Sequence, residues 1–389
     1  VADKKTEKKR LFASTLHGLE PLLEAELTAM GCKNVETSRR GVYFDADYRE
    51  MVRVNLSSRF AIRVLIPWAH DRARTTDDLY KVALRMPWDR ILTPRSTFAI
   101  DSVVNSKEID HSHFASLRLK DGIVDQFRKR TGKRPSIDLE NPDVRIHMRV
   151  HDDNLTISLD SSGDSLHRRG YRPAGAIAPL NECLAAGLIA FSGWTPDKPL
   201  YVPMCGSGTL VMEAALLAAN LPSQWFRTNY GFLRWKNLDE RIVREERARL
   251  WQQRNPRKVK IFASDNDRKA IRQTTDSVKK IAWEHDIDIR QVDFFEHPQP
   301  DEPGTVLLNP PYGERIQPED IQRFYADMGS KLKHDFPGSE AWIISSNMDA
   351  LNYVGFKSHT KHKLYNGKLE CLYAGFELYE GSKKKSKQD

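Results

Sequence analysis

Apolar and polar residues alternate without a break from Val144 to Val150, with Val144, Ile146, Met148 and Val150 on one face and Arg145, His147 and Arg149 on the other. A period of two belongs to a half-buried strand. HDDN (151–154) supplies a turn, and Leu155, Ile157 and Leu159 carry the alternation back, so the pattern predicts a hairpin. Upstream, FAIDSVV predicts a strand. SHFASLRLKDGIVDQFRKRTG predicts a helix with Phe114, Leu117, Val124 and Phe127 towards the core and an end near Gly132. Near the start, LFAST predicts a short strand. Leu19, Leu22, Leu23, Leu27 and Met30 then recur at helical spacing before Gly31, and NVETSRRGVYFDAD predicts strand, tight turn and strand. This order suggests a small α+β unit, with a second unit over about 60–165.

Beyond about 166 the pattern changes. A proline- and glycine-rich passage, LHRRGYRPAGAIAPL, leads into a helix, NECLAAGLIAFSG. Strands and helices then alternate: PLYVPM, LVMEAALLAA, VKIFASD, RKAIRQTTDSVKKIAWEH, IDIRQVD, TVLLNPPYG, a helix from about 318, and EAWIISSN. That is the order of a doubly wound α/β sheet, in which ligands sit at the carboxyl ends of the strands. The last 25 residues of this region form two strand-like runs around Asn366-Gly367, a favoured hairpin turn. An α/β sheet finished by an antiparallel hairpin differs from a dinucleotide-binding dehydrogenase and suggests the seven-stranded methyltransferase sheet.

Composition narrows the partners. The 389 residues can build two or three domains with real cores. A net charge of +8 favours a polyanion. No apolar run approaches the roughly 20 residues of a membrane span. Cys32, Cys183, Cys205 and Cys371 are scattered and form no CxxC pair, as expected of a reducing cytosol. His111 and His113 have no third ligand at metal-binding spacing, so no metal site is expected.

Candidate chemistry collects at the strand ends. MCGSGT lies between a strand and a helix, where glycines let backbone approach a ligand and a helix N-terminus offers free N–H groups. It is also compatible with a purely structural turn, and it is no P-loop, because no Lys-Ser/Thr follows. Asp265, followed by Asn266 and Asp267, stands where ribose hydroxyls are held; the plain alternative is a helix cap, for which Asp267 is the better candidate. Asp293 closes the third strand and can accept from an adenine amine, or serve as a turn residue. TVLLNPPYGER is the most specific signal. Pro310 and Pro311 remove two donors and hold Asn309 extended. The Asn309 side-chain oxygen and the Pro310 carbonyl can then accept from one NH2 group, while Tyr312 offers a stacking face. Two acceptors on an exocyclic amine favour its pyramidal form and aim its lone pair at a methyl donor, an effect larger in the transition state than in the ground state.

MCGSGT, ASDND, QVDFF and NPPYG, in this order, resemble the motifs of S-adenosylmethionine-dependent amino-methyltransferases. The preceding region resembles a THUMP domain behind a ferredoxin-like domain. SLHRRGYRPAGAIAPLNECLAAGLI is similar to the junction of the large-subunit (23S) rRNA guanine-N2-methyltransferases. The resemblance implies an α/β fold: a Rossmann-like seven-stranded methyltransferase domain over 166–380, a ferredoxin-like domain over 11–59, and a THUMP RNA-binding domain over 60–165. Basic disordered tails are expected at 1–10 and 381–389. It implies S-adenosylmethionine against Pro203, Met204, Cys205, Gly206, Ser207, Gly208 and Thr209, with Asp265 and Asn266 at the ribose and Asp293 and Phe294 at the adenine. Asn309, Pro310, Pro311 and Tyr312 would form the catalytic loop, Asn309 also lying against the cofactor. Cys205 becomes a packing residue rather than a nucleophile. The implied reaction is N2-methylation of a flipped guanine in 23S rRNA, free or in a large-subunit assembly intermediate, in the cytoplasm. RKRTGKR (128–134) and the Arg145/His147/Arg149 face are the candidate RNA contacts, or else solvated surface. The same chemistry on tRNA, or an inactive RNA-binding factor, are the alternatives. The sequence departs from the family at Val202, where Asp is usual and helps to hold the methionine end of the cofactor. Weaker cofactor binding is therefore implied.

Overall fold

A computed structural model describes residues 7–172, 180–236, 239–255, 259–281, 286–311 and 318–379. By its contacts the chain divides into two compact units. The first holds residues up to Thr15, Leu23–Arg168 and Arg227–Ala248; the second holds Leu16–Leu22, Arg169–Phe226 and the chain from Arg249 onward.

The first unit is built on one eight-stranded sheet. Its strands are β1 (Lys9–Ser14), β2 (Lys33–Ser38), β3 (Gly41–Ala46), β4 (Arg63–Arg72), β5 (Thr97–Asn105), β6 (Ser136–Ile137), β7 (Val144–His151) and β8 (Asn154–Asp160). Their spatial order is β2-β3-β1-β4-β8-β7-β5-β6. β4 joins the two segments that the sequence pattern separates. Its first residues, Arg63 to Leu65, pair antiparallel with β1, and Leu65 to Arg72 pair antiparallel with β8. The register slips between Pro67 and Ala69, as suits a residue with no N–H to give to a ladder. β1 begins at Lys9, so Lys9 and Arg10 belong to the sheet rather than to a disordered tail; residues 1–6 and 380–389 lie outside the described residues.

The helices of this unit are α1 (Glu20–Ala29, which belongs to it from Leu23 onward), α2 (Tyr48–Ser57), α3 (Thr76–Arg85) and α4 (Ser112–Thr131). α2 and α3 start on reciprocal capping boxes, Asp47 with Glu50 and Thr75 with Asp78. α4 ends at Gly132, whose φ of 72° is left-handed. Its buried stripe runs through Ala115, Leu119, Ile123 and Phe127. That stripe leaves Phe114 and Leu117 off the core face, at 50% and 36% exposure, contrary to the pattern's expectation.

Residues 227–248 return to the first unit. Arg227 donates to the carbonyls of Ser162, Asp164 and Ser165. Gly231 packs so closely that a Cβ would lie 2.6 Å from the Asp160 carbonyl. On α5 (Glu240–Gln252), Glu246 is almost wholly buried and accepts from Arg53 Nε at 2.9 Å and Arg49 Nη1 at 3.2 Å. Among the described residues, Glu246→Ala leaves Arg49 with Glu245 alone and Arg53 with the Met30 carbonyl alone, and we expect it to destabilise this unit by about 1 kcal/mol. A thermal melt should show a lower first transition, with Glu246→Gln intermediate; an unchanged melt would contradict the assignment.

The second unit holds α6 (Glu182–Phe191), β9 (Leu200–Pro203), α7 (Thr209–Ala218), β10 (Lys260–Asp265), α8 (Arg268–Val278), β11 (Asp286–Gln291), β12 (Thr305–Leu308), α9 (Pro318–Asp335), β13 (Glu340–Ser345), β14 (Thr360–Asn366) and β15 (Leu369–Glu377). The sheet order is β11-β10-β9-β12-β13-β15-β14, parallel except for β15. β9 pairs with β10 on one side and β12 on the other, so the strand order reverses there and a crevice opens at the carboxyl ends. In the final hairpin Asn366 pairs with Leu369. The two loop residues are therefore Gly367 and Lys368, one position later than the Asn-Gly signal suggests. Gly367 has φ 65°, as a first loop position of type II′ requires.

Candidate active site

The ends of β9, β10, β11 and β12 each deliver a segment to the crevice. β9 is buried along its whole length and delivers the glycine turn. Within that turn Met204, Gly206 and Gly208 have φ of 59°, 56° and 79°. A left-handed methionine is uncommon and costs about 1–2 kcal/mol, so the surrounding bonds must hold it. Cys205 N–H donates to the Ser264 carbonyl at 2.9 Å. Gly206 N–H donates to Asp265 Oδ2 at 2.9 Å, and Thr274 Oγ1 on α8 donates to the Gly206 carbonyl at 2.9 Å. A Cβ on Gly208 would lie 2.7 Å from Thr274, whereas a Cβ on Gly206 would meet nothing within 4 Å. Gly208 is thus needed for packing, and Gly206 leaves open space over the turn. α7 follows from Thr209 with no side-chain cap among the described residues, so its first N–H groups and the positive end of its dipole are open to a ligand.

Asp265 Oδ1 accepts from Asp267 N–H at 2.9 Å. Asp267 itself caps α8 through Lys269 N–H at 2.8 Å, which leaves Asp265 free of that role. Asn266 Nδ2 donates to Asp293 Oδ2 at 2.9 Å, and Phe295 N–H donates to Asp293 Oδ1 at 2.9 Å. One hydrogen-bonded chain therefore ties the ends of β10 and β11. Asp293 stands two residues past β11, at the head of a 3-10 turn, rather than in the strand. The Phe294 ring is buried against Phe336, so only its backbone is available to a ligand.

Asn309 directly follows β12. Its Oδ1 is buried and has no hydrogen-bond partner among the described residues. A buried acceptor left unpaired costs about 1–3 kcal/mol, so its retention calls for an explanation. Pro310 is buried and Pro311 half-buried, fixing the loop that carries it. Tyr312 lies outside the described residues.

Val202 is fully buried and packs in an apolar cluster with Leu200 and Val211; a carboxylate there would enter an apolar environment. Burial pushes the Cys205 thiol up to about 12, so it holds almost no thiolate at neutral pH. We expect native Cys205 to resist iodoacetamide at pH 7.5 and to react fully after unfolding, read by peptide mass spectrometry. Rapid native labelling would contradict this burial. All four cysteines are buried and free. His111 and His113 are exposed, and no group of three metal-ligating side chains occurs among the described residues.

The candidate RNA surfaces fare unequally. Arg145 donates to Asp101 at 3.1 Å and to the Leu139 carbonyl at 2.9 Å, with its side chain only 11% exposed. Burial, reinforced by Arg63, lowers His147 to about 4, so it is uncharged at neutral pH. That face is spent largely on internal contacts. Residues 128–134 are exposed, although Arg128 and Arg130 each meet an aspartate, Asp125 and Asp89.

Sequence reasoning missed the polar cluster behind the glycine turn. Glu213 on α7 accepts from Arg169 Nε at 3.3 Å and from the Tyr171 hydroxyl at 2.9 Å, all three buried. Arg172 Nη2 reaches the Leu180 carbonyl, Thr209 Oγ1 and Glu182 Oε1 at 2.9, 3.2 and 3.1 Å. The available signal was a lone charge in each of two otherwise apolar helices, Glu213 in LVMEAALLAA and Glu182 in ECLAAGLIA.

A seven-stranded sheet with one antiparallel strand next to its edge, a glycine turn after its central strand and acidic residues after the next two defines the Rossmann-like methyltransferase class. Family models match the chain in three places: an RlmL ferredoxin-like domain over residues 10–65, a THUMP domain over 73–160, and an RMKL-like methyltransferase domain over 169–375. The chain belongs to this RMKL-like methyltransferase family. It is 38% identical to the ribosomal RNA large subunit methyltransferase K/L of Syntrophotalea carbinolica over 95% of its own length, but spans about half of that relative, 54%. It is 36% identical to "Putative RNA methyltransferase slr0064" of Synechocystis sp., over 95% of this chain and 96% of the relative. Among solved structures, SMU.472 in complex with SAH superposes with a TM-score of 0.86 at 25% identity, covering 97% of this chain and 100% of that one.

Proposed function

We propose that this chain transfers the methyl group of S-adenosylmethionine to the exocyclic N2 amine of a guanine in 23S rRNA. The observation that carries the amine assignment is the buried Oδ1 of Asn309, unpartnered among the described residues, on a proline-fixed loop beside the glycine turn's strand. An inactive binding domain gains nothing from such a group. The cofactor is supported by the open space over Gly206, the uncapped α7 and the SAH bound by SMU.472. The RNA is supported by the THUMP match and by the names of the two relatives.

In this reading Pro203–Thr209 cradle the methionine end, Asp265 and Asn266 the ribose, and Asp293 with the Phe294 backbone the adenine. Bound S-adenosylmethionine supplies a methyl group on a sulfonium, already electrophilic. The protein's task is to present the nucleophile. Asn309 Oδ1 and the Pro310 carbonyl accept the two amine hydrogens, Pro311 keeps the loop rigid, and Tyr312 stacks on the base. Hydrogen bonds to the amine strengthen as it gains positive charge, so they lower the barrier more than they tighten binding. No strong base is needed, since the amine proton becomes acidic only after the methyl group has left the sulfur, and it then passes to water. Nucleoside analysis of RNA from a strain lacking this chain tests the assignment. Loss of one N2-methylguanosine from 23S rRNA is expected; its loss from tRNA instead would move the substrate, and no loss of N2-methylguanosine would overturn the reading.

A further inference from the structure

The junction cluster behind the glycine turn holds a carboxylate that the proposed chemistry does not use. Glu182, the first residue of α6, is 3% exposed. Its Oε1 pairs with Arg172, while its Oε2 is buried with no partner among the described residues. Arg172 Nη2 bonds both Glu182 Oε1 and Thr209 Oγ1, so this carboxylate neighbours the residue at which the uncapped α7 begins. Among the described residues, an unpaired carboxylate oxygen and a helix N-terminus with no side-chain cap therefore stand on two sides of Arg172. β9 brings no carboxylate to this end, its last residues being Val202 and Pro203.

An α-amino acid carries an ammonium and a carboxylate on one carbon, which matches that pair of features. We propose that Glu182 receives the ammonium of the cofactor's methionine end, with the cofactor carboxylate on the N-terminus of α7. This rests on the S-adenosylmethionine reading above. Arg172 acts as a positioning residue, neutralising part of the Glu182 charge and fixing it against Thr209. Burial pushes Glu182 up to about 7, so an incoming ammonium also stabilises its ionised form.

The test uses the full chain and two probes in calorimetry. S-adenosylhomocysteine carries the amino-acid end; 5′-methylthioadenosine lacks it and keeps the nucleoside. For Glu182→Gln, we expect S-adenosylhomocysteine to bind about 10–100-fold more weakly, and methylthioadenosine within about twofold of the parent. Glu182→Asp, which keeps the charge one methylene further back, should fall between. An equal loss for both probes, or no loss for either, would overturn the role of Glu182. Should the unmutated chain bind neither probe, the cofactor reading itself fails, a separate outcome. Thermal melts of both variants identify misfolding, and Glu182→Asp then decides alone.

Discussion

Asn309→Ala should lower kcat by about 10²–10³-fold while leaving the affinity for S-adenosylhomocysteine within about threefold. The asymmetry follows from the resting site. Asn309 Oδ1 has no partner among the described residues, so alanine breaks no hydrogen bond of that oxygen there. It removes a buried acceptor that is unsatisfied among the described residues, and the thermal midpoint should hold or rise slightly. Its contribution is made only when an amine is present and grows as that amine gains charge. The measurement is steady-state kinetics beside a melt of the same sample. A kcat near the parental value would dismiss the acceptor role. A midpoint lowered by many degrees would mean that Asn309 is a structural residue.

Asp265→Ala should act in the opposite place, on binding. This carboxylate accepts from Gly206 N–H and from Asp267 N–H, joining the glycine turn to the end of β10. Truncation frees both donors, loosens a turn that holds Met204 and two glycines left-handed, and removes the acceptor proposed for ribose hydroxyls. We expect S-adenosylhomocysteine affinity to fall about 100-fold or more, equivalent to about 2.7 kcal/mol. Stability should fall by about 1–3 kcal/mol. Asp265→Asn keeps one acceptor and should lose less of both. Calorimetry with the same ligand reads the difference; an Asp265→Ala variant that binds like the parent would remove this residue from the site.

Much of this was legible in the sequence, for identifiable reasons. The period-two run Val144–Val150 and its return through Leu159 map onto β7 and β8, because one face is buried and a slip would turn it to water. The alternation beyond residue 180 maps onto the parallel sheet, since fully buried strands read as apolar runs. The strand-end motifs were readable because turns at a crevice need special residues. Other features were not readable. β4 fuses two apparent units into one sheet through pairing partners some 50 and 90 residues away, and local pattern carries no trace of such distances. The return of 227–248 to the first unit rests on Glu246 and Gly231, single residues with ordinary neighbours in sequence. Phe114 and Leu117 misled because helical spacing admits several stripes, and only the neighbouring sheet selects one. The Arg172–Glu182–Thr209 contact lies between two motifs that were each readable, but whose meeting was not.

Methyl transfer to a guanine amine can be read in a single assay. The full chain is incubated with methyl-labelled S-adenosylmethionine and unmodified 23S rRNA, beside tRNA, and the labelled nucleoside is identified after digestion. We expect N2-methylguanosine in 23S rRNA, absent with Asn309→Ala. Label in a nucleoside other than N2-methylguanosine, or no transfer to rRNA or to a large-subunit assembly intermediate while RNA is still bound, would contradict it.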